Sequence, residues 1–441
     1  MVETKLARIS EISRNNHNSQ FISLAYLINE EMLLECYDAM DPDKAVGIDG
    51  VTKDQYGEHL NENIERLLGR MKQNIWRPKP ARHVEILKDD GKSTRPISIY
   101  CFEDKLVQEA VRRILEAVYE PIFYDNMMGF RPDRGCHGAL RKLTHILEDN
   151  PVNVVLDADI TGYFNNLDQE WITTLLKGRI KDPHFLNIVQ LLLRAGIMRD
   201  YVYEATEKGA GQGSVCSPII ANIYMHYVVN WWMHERVMRW ATGYIGLVIY
   251  ADDFVGAFEK PEEAQIVLEH LRVRLGIFGL TLHPDKTRLI HFGRHAKCLM
   301  EVMENRKPDT FTFLGFTHFC GASRKGKFRV KRKTAKKKFA KKYKEVWQKI
   351  KKMRHLPVPD IVKKLNQILR GYDQYYGITD NYRALQNFHY RVEKALFYWL
   401  NRRSQKKSLT WAQFNKRMKA HPLIRPKIYV NIYEKTDELA A

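Results

Sequence analysis

The pattern of apolar residues predicts a short strand that ends in acidic side chains. Residues 152–156 are apolar at four of five positions and lead directly into Asp157 and Asp159. A helix is predicted to start soon afterwards, at Asp168. A short apolar run bounded by polar residues is typical of a buried strand, so we expect carboxylates at the end of this strand.

A second group of acids lies between two further apolar runs. Residues 245–250 and 254–258 are both β-prone, and Asp252 and Asp253 stand between them. Two β-prone runs around a short turn predict a hairpin. The two carboxylates would then lie at the tip of that hairpin.

Helical periodicity appears between these strands and again near the end of the chain. Residues 217–232 are apolar at helical spacing, with Pro218 suited to the first turn. Residues 334–417 are helical in pattern, with interruptions predicted at residues 357–359, Gly371 and Gly377. Strands backed by helices predict an α+β arrangement, and we expect a domain boundary near residues 321–333.

Composition points to a nucleic-acid partner. The 441 residues predict two or three domains, and an apolar fraction of 44% is enough to give them cores. Seventy-one Lys and Arg residues against 52 acids give a net charge of +19, which indicates a polyanionic partner. An anionic membrane is the weaker choice, because no apolar run approaches the ~20 residues that a membrane span requires.

The N-terminus and the cysteines predict a cytoplasmic protein. Residues 1–21 contain no apolar stretch of the kind found in signal peptides. The six cysteines are scattered and form no CxxC motif. We therefore expect reduced thiols, with neither a disulfide framework nor a zinc site.

Positive charge is concentrated between Arg324 and Arg354. This stretch contains seventeen Lys or Arg residues and a single acid, Glu345. A solvated helix face is the simplest explanation for such a run. Contact with a nucleic-acid backbone is the functional alternative. The candidate contact residues are Lys336, Lys337 and Lys338.

The acidic pair at the predicted hairpin tip favours a metal site. Like charges as close as those of Asp252 and Asp253 are costly unless cations bind between them. Mg²⁺ prefers hard oxygen ligands and needs only a few carboxylates besides substrate phosphates. With Asp159 from the neighbouring strand, three carboxylates would serve a two-metal site. We therefore expect Mg²⁺, for which Mn²⁺ can substitute.

At these acids the sequence resembles reverse transcriptases. Tyr250-Ala251-Asp252-Asp253 matches their YxDD box. Over roughly residues 40–430, the other motifs follow the order of the bacterial group II intron-encoded reverse transcriptase/maturase family. These motifs are residues 45–51, residues 84–97, Gly129-Phe130-Arg131-Pro132, Ala158-Asp159-Ile160, Gln212-Gly213 with Ser217-Pro218, residues 282–287, residues 313–316, and Leu369-Arg370-Gly371-Tyr372 with Tyr375-Tyr376-Gly377.

The resemblance implies an α+β right-hand polymerase followed by an all-α thumb or maturase X domain. The implied domains are an N-terminal helical extension at 1–40, fingers at 41–150, a palm at 151–320, and a basic linker with a helical thumb at 321–441. The implied function is RNA-directed DNA polymerisation, together with intron binding that assists splicing and retromobility. The implied partners are structured intron RNA, an RNA template with a DNA primer, dNTPs and a DNA target, with homodimerisation left open.

The resemblance also assigns roles to individual residues. The metal-binding set is Asp159, Ile160, Asp252 and Asp253, of which the three acids are catalytic. The nucleotide-binding set is Lys88, Arg95, Phe164, Gln212 and Lys286. The nucleic-acid-binding set is Arg131, Tyr250, Lys336, Lys337, Lys338, Arg370, Tyr375 and Tyr376.

These roles have simpler structural alternatives. Asp157 is a rival for Asp159, although the family acid directly precedes an aliphatic residue, which is Ile160 here. Phe164 matches a bulky residue under the incoming sugar, and its alternative is a core aromatic. The basic finger residues could instead be a solvent-facing pair on a hairpin, and the glutamine and lysine of the nucleotide set could be structural.

The chain departs from the family pattern at three places. Gly211 stands where relatives usually have proline, which loosens the backbone before Gln212. Asn165 or Asn166 stands where many relatives have an acid. Only thirteen residues follow Ile428, too few for the endonuclease module of some members.

Three rival functions remain open. A splicing factor without polymerase activity is disfavoured by the intact acidic triad. A reverse transcriptase recruited to phage defence, spacer acquisition or a retron would be distinguished by genomic context. An RNA-dependent RNA polymerase is disfavoured by Tyr250 and Phe164.

Overall fold

The computed structural model describes residues 2–87, 93–199, 202–296, 308–403 and 409–434. Within these ranges helices and strands mix along most of the chain and helices alone follow, so the predicted α+β class is confirmed. The α-helices are α1 (Val2–Asn15), α2 (Glu30–Ala39), α3 (Lys53–Gly57), α4 (Leu60–Lys72), α5 (Phe102–Tyr119), α6 (Cys136–Asp149), α7 (Tyr163–Asn166), α8 (Gln169–Arg179), α9 (Pro183–Leu193), α10 (Ser217–Met225), α11 (Met238–Trp240), α12 (Pro261–Ile277), α13 (Lys336–Met353), α14 (Val358–Tyr376), α15 (Tyr382–Leu400) and α16 (Trp411–Ala420). The strands are β1 (Ala81–Leu87), β2 (Thr94–Ile99), β3 (Val154–Asp159), β4 (Ile197–Arg199), β5 (Val202–Glu204), β6 (Ile245–Tyr250), β7 (Asp253–Phe258), β8 (Arg288–His291), β9 (Phe311–Phe313), β10 (Phe316–Ala322) and β11 (Phe328–Thr334).

The described strands form three sheets. Their strand orders are β2-β1-β4-β5, β6-β7-β3-β8 and β11-β10-β9. Strands β1 and β2 are antiparallel, and β1 pairs in parallel with β4. The second sheet carries the predicted acidic strand and both strands of the predicted acidic hairpin, so the sequence pattern identified the strands that matter for the site.

Strand β3 extends further than its apolar run indicated. The predicted strand stopped at residue 156, whereas β3 continues to Asp159. Along it, Ala158 is buried while Asp157 and Asp159 are half-buried. This alternation is expected of a strand, in which successive side chains point to opposite faces.

The chain folds into two compact units. The first comprises Met1–Gly135, Ala158–Phe254 and Glu262–Arg288. Helix α5 is buried along most of its length in this unit, and α1 packs against it. The hydroxyl of Ser13 in α1 donates to the carbonyl oxygen of Val118 at 2.6 Å, which satisfies a buried polar group.

The second unit comprises Cys136–Asp157, Val255–Pro261 and Leu289–Ala441. Helices α13 to α16 share a core in this unit, in which the rings of Tyr372 and Phe388 stack with their centroids 3.8 Å apart. The sequence predicted a break at Gly371, but α14 runs through it to Tyr376. A glycine inside a helix costs about 1 kcal/mol, and burial of Leu369 and Tyr372 beside it outweighs that cost.

The predicted basic linker is wrong in its first part. Residues 321–333 lie mostly in β10 and β11, which pair antiparallel from Phe316 with Thr334 to Ala322 with Phe328. The dense positive charge concealed an alternation in which Val330 and Arg332 point inward. The buried guanidinium of Arg332 donates to the Val330 carbonyl oxygen at 3.2 Å and to the hydroxyl of Thr144.

The predicted helix over residues 217–232 is α-helical only as far as Met225. Two π-helical segments follow, His226–Asn230 and Met233–Val237. Asn230 lies in the first of them and exchanges hydrogen bonds of 2.8 and 3.0 Å with the buried amide of Asn126. Among the described residues, no helix is long and apolar enough to cross a membrane.

Candidate active site

A strained turn presents Asp252 and Asp253. Strand β6 ends at Tyr250 and β7 begins at Asp253, and Ala251 between them has φ +57°. A left-handed conformation costs an alanine of order 1 kcal/mol, so surrounding contacts must hold the turn in place. The structure confirms the predicted hairpin and places the acidic pair at its turn.

Residues 126–129 provide the contacts that hold this turn. The backbone N–H of Met128 donates to the carbonyl oxygen of Ile249 at 2.8 Å. A Cβ atom built on Gly129 would lie 2.4 Å from the backbone nitrogen of Ala251, so only glycine permits this approach. The buried side chain of Asn222 donates to the Gly129 carbonyl oxygen at 2.8 Å. Sequence reasoning missed Asn222, because nothing in its helical pattern marks it.

Asp159 and Lys286 form an ion pair at the candidate site. The backbone N–H of His283 donates to the carbonyl oxygen of Asp159 at 2.7 Å, which aligns the segment that carries Lys286. The Lys286 ammonium lies 2.6 Å from Oδ2 of Asp159. The residues that were predicted to bind metal and pyrophosphate are therefore in direct contact.

The charges of Asp159 and Asp252 act on each other. Burial raises the pKa of Asp252, and the negative charge of Asp159 raises this pKa further. The positive charges of Arg95 and Lys286 act on it in the opposite direction. These four residues therefore share one electrostatic environment within the first unit.

The donor chemistry of this site fits a divalent cation. Asp159 and Asp252 are half-buried carboxylates that repel each other, and Asp253 is exposed at the start of β7. A cation with hard oxygen preference would relieve that repulsion. Over the described ranges, no three His, Cys, Asp or Glu side chains already form a metal-binding group. In this structure the Lys286 ammonium pairs with Asp159. A bound metal ion would replace the ammonium at this carboxylate.

Ile160 can contribute to a metal site only through its main chain. Its side chain is buried, and it forms an isolated antiparallel bridge with Leu282. The two flanking hydrogen bonds use the carbonyl oxygen of Asp159 and the N–H of Thr161. In such a bridge the peptide groups of Ile160 itself point away from Leu282, which leaves its carbonyl oxygen for another partner.

Phe164 is only partly covered by its neighbours. Its ring is half-buried and packs edge-on against Phe130, with their centroids 6.1 Å apart. Phe130 is 49% exposed and has φ +56°. Sequence reasoning used Phe130 only as part of a motif, because its exposure and its left-handed backbone are visible only in the structure.

The segment containing Gln212 is fixed by its backbone. The N–H of Ser98 donates to the Gln212 carbonyl oxygen at 2.6 Å, and the hydroxyl of Ser217 donates to that of Gly211 at 3.0 Å. A Cβ atom on residue 211 would lie 2.2 Å from the hydroxyl oxygen of Tyr100, so any larger residue there would have to displace the Tyr100 side chain. Hydrogen bonds therefore replace the restraint that a proline would supply.

Of the two cations predicted in the fingers, Arg95 lies within the described residues. Arg95 is exposed on β2, opposite Ile86 of β1. Its positive charge acts to lower the pKa of Asp252, and a contact of Arg95 with the triphosphate stays a prediction. Lys88 lies outside the described residues.

The predicted nucleic-acid role of Arg131 is corrected. The residue is only 6% exposed, and its Nε donates to Glu120 at 2.8 Å. A second guanidinium nitrogen donates to the carbonyl oxygens of Tyr124 and Met127 at 2.8 and 2.9 Å. A buried cation bound in this way cannot reach a phosphate without losing its partners, so Arg131 supports the loop that carries Gly129.

The remaining predicted nucleic-acid contacts divide into exposed cations and packed tyrosines. Exposed cations are Lys336, Lys337 and Lys338 in the first turn of α13, and Arg370 on α14. Tyr375 is half-buried and donates to the Leu314 carbonyl oxygen at 2.9 Å, while the Tyr376 ring lies 5.3 Å from that of Phe316. These tyrosines therefore stabilise helix packing, and an RNA contact by them stays a prediction. Tyr250 is half-buried at the end of β6.

Comparison with known families identifies two regions of this chain. Residues 86–318 match the family described as reverse transcriptase (RNA-dependent DNA polymerase). Residues 331–418 match the group II intron maturase-specific domain. The candidate acids all lie in the first region, and the exposed lysines of α13 lie in the second.

Individual relatives show the same relationship. The group II intron-encoded protein LtrA of Lactococcus lactis subsp. cremoris is 30% identical over 315 residues, covering 69% of this chain and 52% of LtrA. Protein YkfC of Escherichia coli K12 is 28% identical over 316 residues, covering 64% of this chain and 78% of YkfC. A putative COX1/OXI3 intron 2 protein of Saccharomyces cerevisiae is 30% identical over 234 residues, covering 50% of this chain and 26% of that protein.

The aligned part corresponds to about half the length of LtrA. The reverse transcriptase match alone spans more than half of the present chain, and it includes the acidic hairpin, β3 and the segment that carries Lys286. The chain belongs to the reverse transcriptase (RNA-dependent DNA polymerase) family, and it carries a group II intron maturase-specific domain after the polymerase region.

Proposed function

We propose that this protein extends a primer on an RNA template with dNTPs. The observation that carries the proposal is the mutual repulsion of Asp159 and Asp252 beside Lys286, within a region that matches reverse transcriptases. Asp159, Asp252 and Asp253, with the Ile160 carbonyl oxygen, would hold two Mg²⁺ ions, or Mn²⁺ in their place. When bound, such ions activate the primer 3′-hydroxyl and neutralise charge on the transferred phosphate.

The other site residues would position the nucleotide. Arg95 and Lys88 suit the triphosphate, since an arginine fork and a lysine point charge both bind phosphate oxygens. Lys286 can move from Asp159 to the leaving pyrophosphate once a metal binds that acid. The half-buried Phe164 ring would pack against the sugar, and Gln212 lies on a fixed segment whose Ala210 N–H donates to the Phe164 carbonyl oxygen at 3.0 Å.

A second function, assistance of intron splicing and retromobility, rests on the maturase-specific match over residues 331–418. Structured RNA is recognised largely through its shape, its phosphates and its unstacked bases, none of which requires the polymerase metals. We propose that intron RNA is bound in part by this region, and that a DNA target serves as a further substrate. A polymerase recruited to another task, or a splicing factor alone, are the alternatives.

A paired assay tests both functions on the same preparations. Primer extension on RNA with dNTPs and Mg²⁺ is measured beside intron splicing at low Mg²⁺, for the wild type and for Asp252→Ala with Asp253→Ala. The double variant should lose cDNA synthesis and retain splicing assistance. Wild-type protein that extends no primer would overturn the polymerase proposal. Wild-type protein that extends primers without any effect on its neighbouring intron would favour the recruited polymerase.

A further inference from the structure

An aromatic cavity lies in the helical part of the second unit, whereas the acids proposed for catalysis belong to the first unit. Its volume is about 580 Å³, within the range of small-ligand pockets. Helices α13, α15 and α16 contribute its walls. Aromatic and basic side chains dominate the lining, among them Trp347, Lys394, Phe397, Tyr398, Arg402 and Trp411.

The aromatic side chains form two supported pairs. The rings of Phe397 and Trp411 stack with centroids 3.9 Å apart and planes at 16°. The rings of Trp347 and Tyr398 lie 4.9 Å apart. Trp411 remains 44% exposed and Tyr398 38% exposed, so each pair leaves aromatic surface for a further flat group.

The ends of the α15–α16 connection are held together beside the cavity. The Asn401 side chain donates to the Leu409 carbonyl oxygen at 3.0 Å and accepts the Leu409 N–H at 2.9 Å. Helix α16 then starts with a capping box between Thr410 and Gln413, which fixes Trp411 at the first helical position. A ligand would therefore meet a preorganised wall, and less ordering would oppose its binding.

The charge around the cavity selects the kind of ligand. Lys394 and Arg402 line it, and the guanidinium of Arg402 lies 4.0 Å from the Tyr398 ring centroid. None of the described lining residues is acidic. Positive charge next to exposed aromatic rings disfavours a cationic ligand and suits a base attached to phosphates, because bases stack on aromatics while phosphates pair with cations.

We propose that this cavity binds an unstacked base of single-stranded RNA. The base stacks on the exposed part of Trp411, and Lys394 and Arg402 beside Tyr398 contact the adjoining phosphates. The site gives the maturase-specific region a means of recognising a loop or bulge, which a flat basic surface would lack. This inference rests on the proposed function for its occupant, single-stranded RNA.

Binding of an oligoribonucleotide tests the proposal directly. The probe is a labelled oligouridylate of about twelve nucleotides, a length within the usual range of single-strand sites, in EDTA and without dNTPs. Trp411→Leu should weaken binding about tenfold, the effect of losing one stacked base. Trp411→Phe should restore most of the affinity. Tyr382→Leu is the control, since Tyr382 is an aromatic residue 43% exposed on α15, a helix that contributes to the cavity, but does not itself line the cavity.

Two further measurements separate stacking from charge and from misfolding. An abasic strand of the same length should bind the wild type and Trp411→Leu equally, while Lys394→Gln with Arg402→Gln should weaken both strands. A 5-iodouridine probe should crosslink to Trp411 or Tyr398 in the wild type. This measurement does not depend on the folding of any variant. Equal affinities of Trp411→Leu and Tyr382→Leu, or crosslinks only elsewhere, would overturn the proposal. Absence of primer extension by the wild type would overturn the polymerase function alone, because the binding assay contains neither metal nor dNTPs.

Discussion

At the scale of single residues, Phe164 bears most directly on substrate choice. Its ring is half-buried, touches Phe130 edge-on, and lies near the fixed segment before Gln212. A core aromatic would have both faces covered, as Phe388 does in the second unit. The partial exposure of the Phe164 ring favours a role against the sugar of the incoming nucleotide.

Replacing Phe164 with alanine should therefore admit ribonucleotides. A bulky ring at the sugar excludes a 2′-hydroxyl by steric clash, and its removal takes away that repulsion. The ratio of kcat/KM for rNTP to that for dNTP should rise at least tenfold in Phe164→Ala. An unchanged ratio together with a lower melting temperature would show that the ring serves the core alone.

At the scale of elements, the acidic hairpin depends on the loop behind it. Gly129 touches the backbone of Ala251 so closely that a Cβ atom would fall 2.4 Å from its nitrogen. Backbone atoms cannot move away from a new Cβ atom as the end of a flexible side chain can. The position of the two acids proposed as catalytic is therefore tied to a glycine that lies over 120 residues earlier in the chain.

Gly129→Ala should displace the turn. We expect a loss of about 1–3 kcal/mol in unfolding free energy, as for other overpacked sites, and a larger proportional loss in primer extension. Gly135→Ala is the matched control, because a Cβ atom there meets nothing within 4 Å. Equal stability and activity of the two variants would mean that the turn does not rely on this contact.

The start of helix α13 is the element best suited to contact a nucleic-acid backbone. Lys336, Lys337 and Lys338 are exposed at its N-terminal end, where positive charges oppose the helix dipole. Their placement therefore gains nothing for helix stability. Binding of phosphates would explain it.

Changing these three lysines to glutamine should weaken template–primer binding and flatten its dependence on salt. Each lost phosphate contact lowers the log–log slope by about 0.9, so a change of one unit or more is expected. Lys72, Lys177 and Lys181 are exposed lysines outside the basic stretch, and their replacement gives the same change in charge. An equal effect of both triple variants would indicate general attraction instead of a specific contact.

At the scale of the whole molecule, the sequence predicted best where local pattern and chemistry coincide. The apolar runs around Asp252 and Asp253 predicted strands, and the structure has β6 and β7 there. The apolar run before Asp159 predicted a strand in the same way, and the structure has β3 there. Short, strongly apolar runs have few competing conformations, so local pattern suffices.

Features that depend on distant partners could not be predicted in this way. Nothing in the sequence around Arg131 indicates that its guanidinium is buried in an ion pair with Glu120. Gly371 looks like a helix break until the core contacts of its neighbours are known. The hairpin of β10 and β11 was not predicted, because its second strand is rich in basic residues. The alternating burial of that strand places the charged Arg332 inside, where the sequence pattern would lead one to expect an apolar residue.

Single-turnover primer extension by Asp159→Ala and Asp157→Ala is the sharpest test of the proposed metal site. Both acids lie on β3, two residues apart, so the two variants remove the same group from nearly the same place. Asp159 contacts Lys286 and raises the pKa of Asp252. We predict that Asp159→Ala loses several orders of magnitude in rate, in both Mg²⁺ and Mn²⁺, while Asp157→Ala stays close to the wild type. A normal rate for Asp159→Ala, or an equal loss in both variants, would contradict the assignment of Asp159 as a metal ligand.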